Sequence, residues 1–167
     1  MKKSILSIIL VAVVCMLAFS SCKKEKTMTE MLQLKKGWTL STATSSPSYN
    51  LNEGGQITNL FDGYVRDCEK DDIIKFNEDG HEYLNPGDDV CDGQASEESS
   101  LGTFDFNETE MTMDMQIPFF YDAAVESVKI VELTEDVLKV NFIFTETAET
   151  TKAPGNYTFT LTYVPAK

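Results

Sequence analysis

The chain has 167 residues, one histidine and four cysteines, and its 27 acidic against 14 basic side chains give a formal net charge of −13. That acidity argues against nucleic acid as a partner, because phosphates would repel it, and reads first as solubility. The length suits one domain once any targeting segment is set aside.

The first element is Met1-Lys2-Lys3 followed by "SILSIILVAVVCMLAFS", a run without charge. A short basic start, an apolar stretch and small residues at its end predict a secretory signal over residues 1–21. The run is slightly short for a membrane-crossing helix, which needs about 20 apolar residues with suitable flanks. Its ending, Phe19-Ser20-Ser21-Cys22, resembles the bacterial lipobox, with Phe19 where leucine is usual. Small side chains let a peptidase approach the backbone, and the Cys22 thiol is the nucleophile that can take a thioether-linked diacylglyceryl group. The resemblance implies cleavage before Cys22 and acylation of its new amino group. A buried CH₂ contributes about 0.8 kcal/mol, so two or more acyl chains anchor stably. The alternative is an ordinary signal with a free Cys22. Cys15 leaves with the signal in either case. Removing Lys2 and Lys3 moves the net charge to −15, from 12 basic and 27 acidic side chains. Lys23 follows the anchor where an aspartate would signal retention, so an outer-membrane location is expected. Glu25 is the one acid in the first few residues, which leaves the membrane face open and favours the periplasmic side.

Residues 22–36 read as the lipidated cysteine and a tether, with a short helix capped by Thr27 and Glu30 and stopped by Gly37. From residue 37 to 167 the pattern turns to period two, the signature of strands. "WTLSTATS" places Trp38, Leu40 and Thr42 on one face. "ITNLFDGYVRDCEKDD" reads as a short helix or loop. "DIIKFNEDGHEYL" is a hairpin turning at Asn77-Glu78-Asp79-Gly80. "NPGDDVCDGQASEESS" is an exposed loop. "GTFDFNETEMTMDMQI" is a second hairpin that puts Phe104, Phe106, Met111, Met113, Met115 and Ile117 on one face. "VESVKIVELTEDVLKVNFIFTE" is a third, turning near Thr134-Glu135-Asp136, with Leu138, Val140, Phe142 and Phe144 aligned. "NYTFTLTYV" closes the chain with Tyr157, Phe159, Leu161 and Tyr163 alternating against threonines. About eight antiparallel strands in meandering hairpins predict an all-β, up-and-down barrel.

Cys68 and Cys91 remain after the anchor. An even pair in an exported chain predicts a disulfide. With 22 residues between them, the chain-entropy model gives the bridge about 3 kcal/mol. A metal site would need more ligands, and His81 has no spacing partner.

In their order, "GWTLSTAT", "DCEKDDIIKFNEDG", "DDVCDG", "GTFDF", "IVELTEDVLKV" and the threonine-rich last strand resemble the lipocalin-like domain of small Gram-negative lipoproteins. The resemblance covers about residues 32–165. It implies an eight-stranded antiparallel barrel with a short helix near one end and a small apolar ligand. In lipocalins proper the first strand carries Gly-x-Trp, with the tryptophan packed at the closed end of the barrel; here Gly37 sits directly before Trp38, so that spacing is not met.

No catalytic residue, metal or cofactor is expected. His81 lies just past a turn, and no nucleophile–base pattern or phosphate-binding loop is present. The acidic pairs Asp71-Asp72, Asp88-Asp89 and Glu97-Glu98 could serve a glycosidase only if held in a cleft. Asp88, Asp89 and Asp92 could offer oxygens to calcium, without the EF-hand pattern; the solvated loop is the simpler reading of both. Candidate ligand-lining residues are Trp38, Phe104, Phe106, Met111, Met113, Met115, Phe142, Phe144, Tyr157 and Phe159. The same stripe would also serve as the packed core any barrel needs. Two functions compete: a membrane-anchored carrier of a small hydrophobic molecule, and a structural or interaction module with a filled barrel that meets a protein or glycan.

Overall fold

The computed structural model describes residues 26–51, 55–119, 127–146 and 155–167; the signal, Cys22 and Lys23 lie outside them. Ten strands form one antiparallel sheet: β1 (Trp38–Leu51), β2 (Gly55–Asn59), β3 (Ile73–Phe76), β4 (His81–Asn85), β5 (Ser99–Thr103), β6 (Asp105–Asn107), β7 (Thr112–Asp114), β8 (Val128–Leu133), β9 (Leu138–Glu146) and β10 (Gly155–Pro165). Their spatial order is β5-β4-β3-β1-β10-β9-β8-β7-β6, with β2 paired to β1 off this path. Only Phe104 separates β5 from β6, so one run of chain supplies both ends of that order. Taken as one stave, with β2 set aside, that run leaves eight staves of the ten strands. Each lies beside its neighbour in sequence, and β10 returns to β1. The result is the nearly closed, up-and-down antiparallel barrel that the hairpins call for.

Turn chemistry sets the three hairpins. Between β3 and β4, Gly80 takes φ +78° and its N–H donates to Asn77 O at 3.0 Å. Between β6 and β7, Asn107 Oδ1 accepts from the N–H of Thr109 and of Glu110, both at 3.1 Å. Between β8 and β9, Thr134 Oγ1 accepts from Val137 N–H at 3.0 Å. With the turns fixed, period two puts Leu138, Val140 and Phe142 inside from β9 and Tyr157, Phe159, Leu161 and Tyr163 inside from β10.

The alternation breaks in β1. The register of β1 on β10 shifts between Leu40 and Thr42. A bulge of this kind turns the next side chains to the other face. Thr42, expected beside Trp38 and Leu40, is therefore exposed, and Ala43 and Ser45 point inward in its place. β1 also continues to Leu51 and pairs with β2, Tyr49 opposite Ile57 and Leu51 opposite Gly55, where no strand was foreseen.

The N-terminal helix α1 (Met28–Leu32) has the expected capping box: Glu30 N–H donates to Thr27 Oγ1, and Thr27 N–H to Glu30 Oε2. Gly37 does not end it; α1 stops at Leu32 with Gln33 as its cap. Gly37 serves a different need. It sits at φ +75°, and a Cβ there would meet Ile73 Cγ2 and Ile74 O at 2.6 Å, so only glycine lets the chain enter β1 this close to β3. Residues 28–34, read as tether, reach the core: Leu32 is fully buried, Leu34 packs against the cluster, and Leu32 O accepts from the Trp38 indole N–H at 2.7 Å. That closes one end of the barrel over Trp38.

At the other end Tyr49 turns inward beneath α2 (Leu60–Gly63) and the residues that follow it. Its ring makes edge-to-face contacts with Tyr64, Phe144, Tyr157 and Phe159, with centroids 5.0 to 6.4 Å apart. Such pairs add about 0.5–1.5 kcal/mol each beyond the area they bury.

Candidate ligand-binding site

The interior stripe foreseen from the sequence is assembled. Trp38, Met113, Met115, Phe142, Tyr157 and Phe159 are buried, and Phe104, Phe106, Met111 and Phe144 pack partly buried against them. Trp38 lies under α1 at the closed end and lines no opening. Met115, Ile117 and Phe119 extend the inward alternation of β7 over a stretch, residues 115–119, that belongs to no strand.

Into this apolar interior the fold places a carboxyl. Glu82 shares the inward face of β4 with Leu84, and its side chain is fully buried. Opposite it on β5 stands Gly102, which has no side chain to block the way. Glu82 Oε2 accepts from Gln116 N–H at 2.8 Å. The carboxyl thus takes a backbone donor at the seam between β5 and the continuation of β7, beyond the last rung joining Asp105 to Asp114. Burial pushes Glu82 up to about 8, and the Gln116 hydrogen bond offsets only part of that. Glu82 therefore holds its proton at neutral pH.

Tyr163 projects inward from β10 and is equally buried. Burial, and then the proximity of Glu82, raise its phenol further above the ordinary value. Four buried side-chain atoms lack a hydrogen-bond partner among the described residues: Asp71 Oδ1, Glu82 Oε1, Asn141 Oδ1 and Tyr163 Oη. Only Glu82 and Tyr163 belong to fully buried, inward-facing side chains. Leaving such a group unpaired costs about 1–3 kcal/mol. Tyr163 also borders a void of about 10 Å³ with Glu69, Asp72 and Phe119, about the room one water needs.

Glu69 and Asp72 are held from outside the barrel. Arg66 Nε and Nη2 donate to Glu69 Oε1 at 2.9 and 2.6 Å. Gln94 Nε2 donates to both Asp72 oxygens at 3.1 and 3.3 Å. Burial raises Asp72 to about 6 against that amide, and the charges of Asp71 and Glu69 add to the rise. The Cys68–Cys91 disulfide, with Cα atoms 5.3 Å apart, joins this segment to the loop that carries Gln94. The pairing expected from cysteine arithmetic is present.

The acidic pairs do not converge. Asp71 and Asp72 turn apart: Asp71 Oδ2 accepts from the N–H of Asp88 at 2.8 Å and of Asp89 at 3.0 Å, while Asp72 faces Gln94. They were read as solvated, yet both are engaged in hydrogen bonds, and Glu98 pairs with Lys75. Among the described residues no three His, Cys, Asp or Glu side chains form a metal-binding group. His81 is half exposed beside Asp79. A larger groove of about 770 Å³ runs along the outer wall, lined in part by Thr39, Ser41, Phe61, Lys70, Asp71 and Val164. Lys70 Nζ stands 5.2 Å from the Phe61 ring centre there. It was not foreseen, because it depends on how the segment between β2 and β3 lies over β1.

Glu82 and Tyr163 were also passed over as site residues. Parity alone could have singled out Glu82, an acid in phase with Leu84 on an inward face. Nothing local marks its partner Gln116, 34 residues away.

A family model described as a lipocalin-like domain matches residues 34–140. No curated protein and no solved structure matches the chain.

Proposed function

This chain belongs to the lipocalin-like domain family, and from that premise we propose that it is a lipid-anchored, non-enzymatic protein of the Gram-negative outer membrane that holds a small hydrophobic ligand inside its barrel. One observation supports the reading: an apolar interior that keeps two fully buried polar groups, Glu82 Oε1 and Tyr163 Oη, without partners among the described residues. Buried polar atoms in a purely structural core are almost always paired. Ligand pockets combine apolar walls with a few placed polar groups that orient what they hold. The apolar stripe supplies affinity by removing the ligand from water, and Cys22 supplies the membrane attachment.

Native mass spectrometry of the protein purified from its own host tests the carrier. A small molecule travels with the wild type and is lost from Phe142→Asp. An empty protein with no interior space approaching about 300 Å³ sinks the reading. The anchor is tested separately: Cys22→Ala moves the protein from the membrane to the soluble fraction, and retention in the membrane would overturn it.

A second reading has its own support. The void beside Tyr163 is about 10 Å³, and the apolar stripe around it is buried side chain against side chain. A filled barrel fits an interaction module, and its contact surface would be the exposed acidic loop between β4 and β5, pinned by Cys91 and by the backbone bonds to Asp71.

A further inference from the structure

We propose that the groove on the outer wall is a binding site of its own and that its ligand is a short neutral saccharide. The inference goes beyond the carrier reading, which concerns the barrel interior, and stands or falls apart from it.

The floor of the groove comes from three strands. β1 is paired on both sides here, with Thr39 opposite Ile73 of β3 and opposite Val164 of β10. These three side chains share one rung of the outer face, while Trp38 and Ile74 of the next rung are buried. Adjacent strands lie about 4.8 Å apart, so the rung is about 10 Å wide. It sets a hydroxyl between two branched apolar side chains, where an outward rung is ordinarily polar. Exposed Ser41 adds a second hydroxyl from β1, and Phe61 brings a ring from α2.

The walls are fixed before any ligand arrives. One is the segment with Phe61, Lys70 and Asp71, the other the turn with Asn85, Gly87 and Asp88. Asp71 Oδ2 accepts from Asp88 N–H at 2.8 Å and from Asp89 N–H at 3.0 Å. A Cβ on Gly87, at φ +67°, would meet Asp71 Cγ at 2.6 Å, so the walls touch at a contact only glycine allows. The Cys68–Cys91 bridge joins the same two segments. The space they hold open, about 770 Å³, lies within the roughly 300–1,000 Å³ of small-molecule sites. A pre-formed site loses little entropy on binding.

Charge selects a neutral ligand. Lys70 Nζ is taken by Asp67 Oδ1 at 2.7 Å, and Asp71 by the two backbone N–H groups. The other ions at the groove are one of each sign, Asp88 and Lys167. Neither an anion nor a cation meets an excess of opposite charge. An extended peptide would find no strand edge, since β1 lies between β3 and β10, and its backbone groups would lose water without a ladder to join. A saccharide needs none. The apolar face of a sugar ring lies on Ile73, Val164 and Phe61. Its hydroxyls exchange bonds with Thr39, Ser41 and the amide nitrogen of Asn85, whose Oδ1 accepts from Gly87 N–H at 3.2 Å.

The test uses the purified full-length protein. Cellotriose and maltotriose are the neutral probes, trigalacturonate and the glucosamine trimer the charged ones, and a neutral acetylated serine–alanine pentapeptide amide the peptide. Binding is followed by the amide NMR signals of Thr39, Ser41 and Val164, with each probe taken to about 10 mM. At least one neutral trisaccharide is expected to shift all three signals and to bind at least about tenfold more tightly than either charged one. Val164→Glu, at an exposed position, lowers that affinity at least about tenfold and leaves the melting temperature unchanged. If Val164→Glu does not fold, Ser41→Glu serves instead. Silence of the three amides toward both neutral trisaccharides overturns the inference. So does a charged trisaccharide bound as tightly, the peptide shifting the same signals, or an affinity untouched by the variant. Each of these outcomes leaves the carrier reading standing.

Discussion

The two halves of the barrel interior are built on different terms. Around Tyr49, ring meets ring: Phe159 lies edge-on to Tyr49 and Phe142 and stacks on Phe144 at 5.4 Å with planes 11° apart. These ring contacts are edge-to-face or stacked and bury no unpartnered polar side-chain atom among the described residues. Around Tyr163 the side chains are as buried, yet among the described residues Glu82 has one oxygen satisfied and the Tyr163 hydroxyl has no partner. The first region stabilises the fold. The second costs stability, and a protein keeps such a cost where the group has something else to meet. That difference is what the carrier reading proposed above rests on.

The largest break comes on the aromatic side. Phe159→Ala removes a fully buried ring that contacts Tyr49, Phe142, Phe144 and Tyr157. The cavity and lost transfer energy together should cost about 3–5 kcal/mol. Urea unfolding followed by Trp38 fluorescence measures it; a loss under about 1 kcal/mol would mean the aromatic side is not the stabilising half.

A smaller effect separates the halves by pH. Glu82 rests at about 8 in the folded barrel, well above the roughly 4.3 of an unfolded glutamate. The folded state then binds the proton that the unfolded state has released. Its stabilising share is complete below the unfolded value and is lost as pH rises through about 8. Asp72, raised to about 6, acts in the same direction over a narrower window. Between pH 5 and 8 the loss should be on the order of 2–3 kcal/mol, less than the full linkage limit of about 1.4 kcal/mol per unit. Glu82→Gln, which is neutral throughout and keeps an acceptor for Gln116 N–H, should flatten most of the slope. A wild-type stability that is constant or rises over that range would contradict the buried, protonated Glu82.

How far the sequence could see follows the same division. The strands of the aromatic half were legible because their signal is local. Leu138 to Phe144 and Tyr157 to Tyr163 keep strict alternation, and the turns at Gly80 and Thr134 carry their own residue chemistry. Thr42 was misplaced because a bulge moves the pleat without changing which residues look apolar. The β1–β2 hairpin was missed because its strands are polar and half exposed, with no alternation to read. The polar half was legible only in fragments. Glu82 has inward parity and Tyr163 stands in a clear strand, but their meeting depends on barrel closure. At the Gly102 seam the staves are adjacent in sequence, but the Gln116 N–H bond to Glu82 spans 34 residues from a stretch that belongs to no strand.

The smallest effect is the sharpest, because its sign differs from the usual one. Removing a polar group from a core normally costs the hydrogen bond it made. Tyr163 Oη makes none among the described residues, so Tyr163→Phe loses no bond and removes a buried hydroxyl that folding must strip of water. The ring stays in place against Leu40 and Leu138, its partners across β1 and β9. The ligand-free protein should therefore be unchanged or more stable by up to about 1 kcal/mol. Tyr49→Phe is the matched control from the aromatic half, a similarly buried tyrosine whose hydroxyl is not among the unpartnered atoms; it should gain nothing. Paired denaturation curves at pH 6 decide the point. A loss of 1 kcal/mol or more for Tyr163→Phe alone would mean that its hydroxyl already has a partner in solution, such as a water in the void beside Phe119. The unpartnered half of the barrel would then be as complete as the aromatic one.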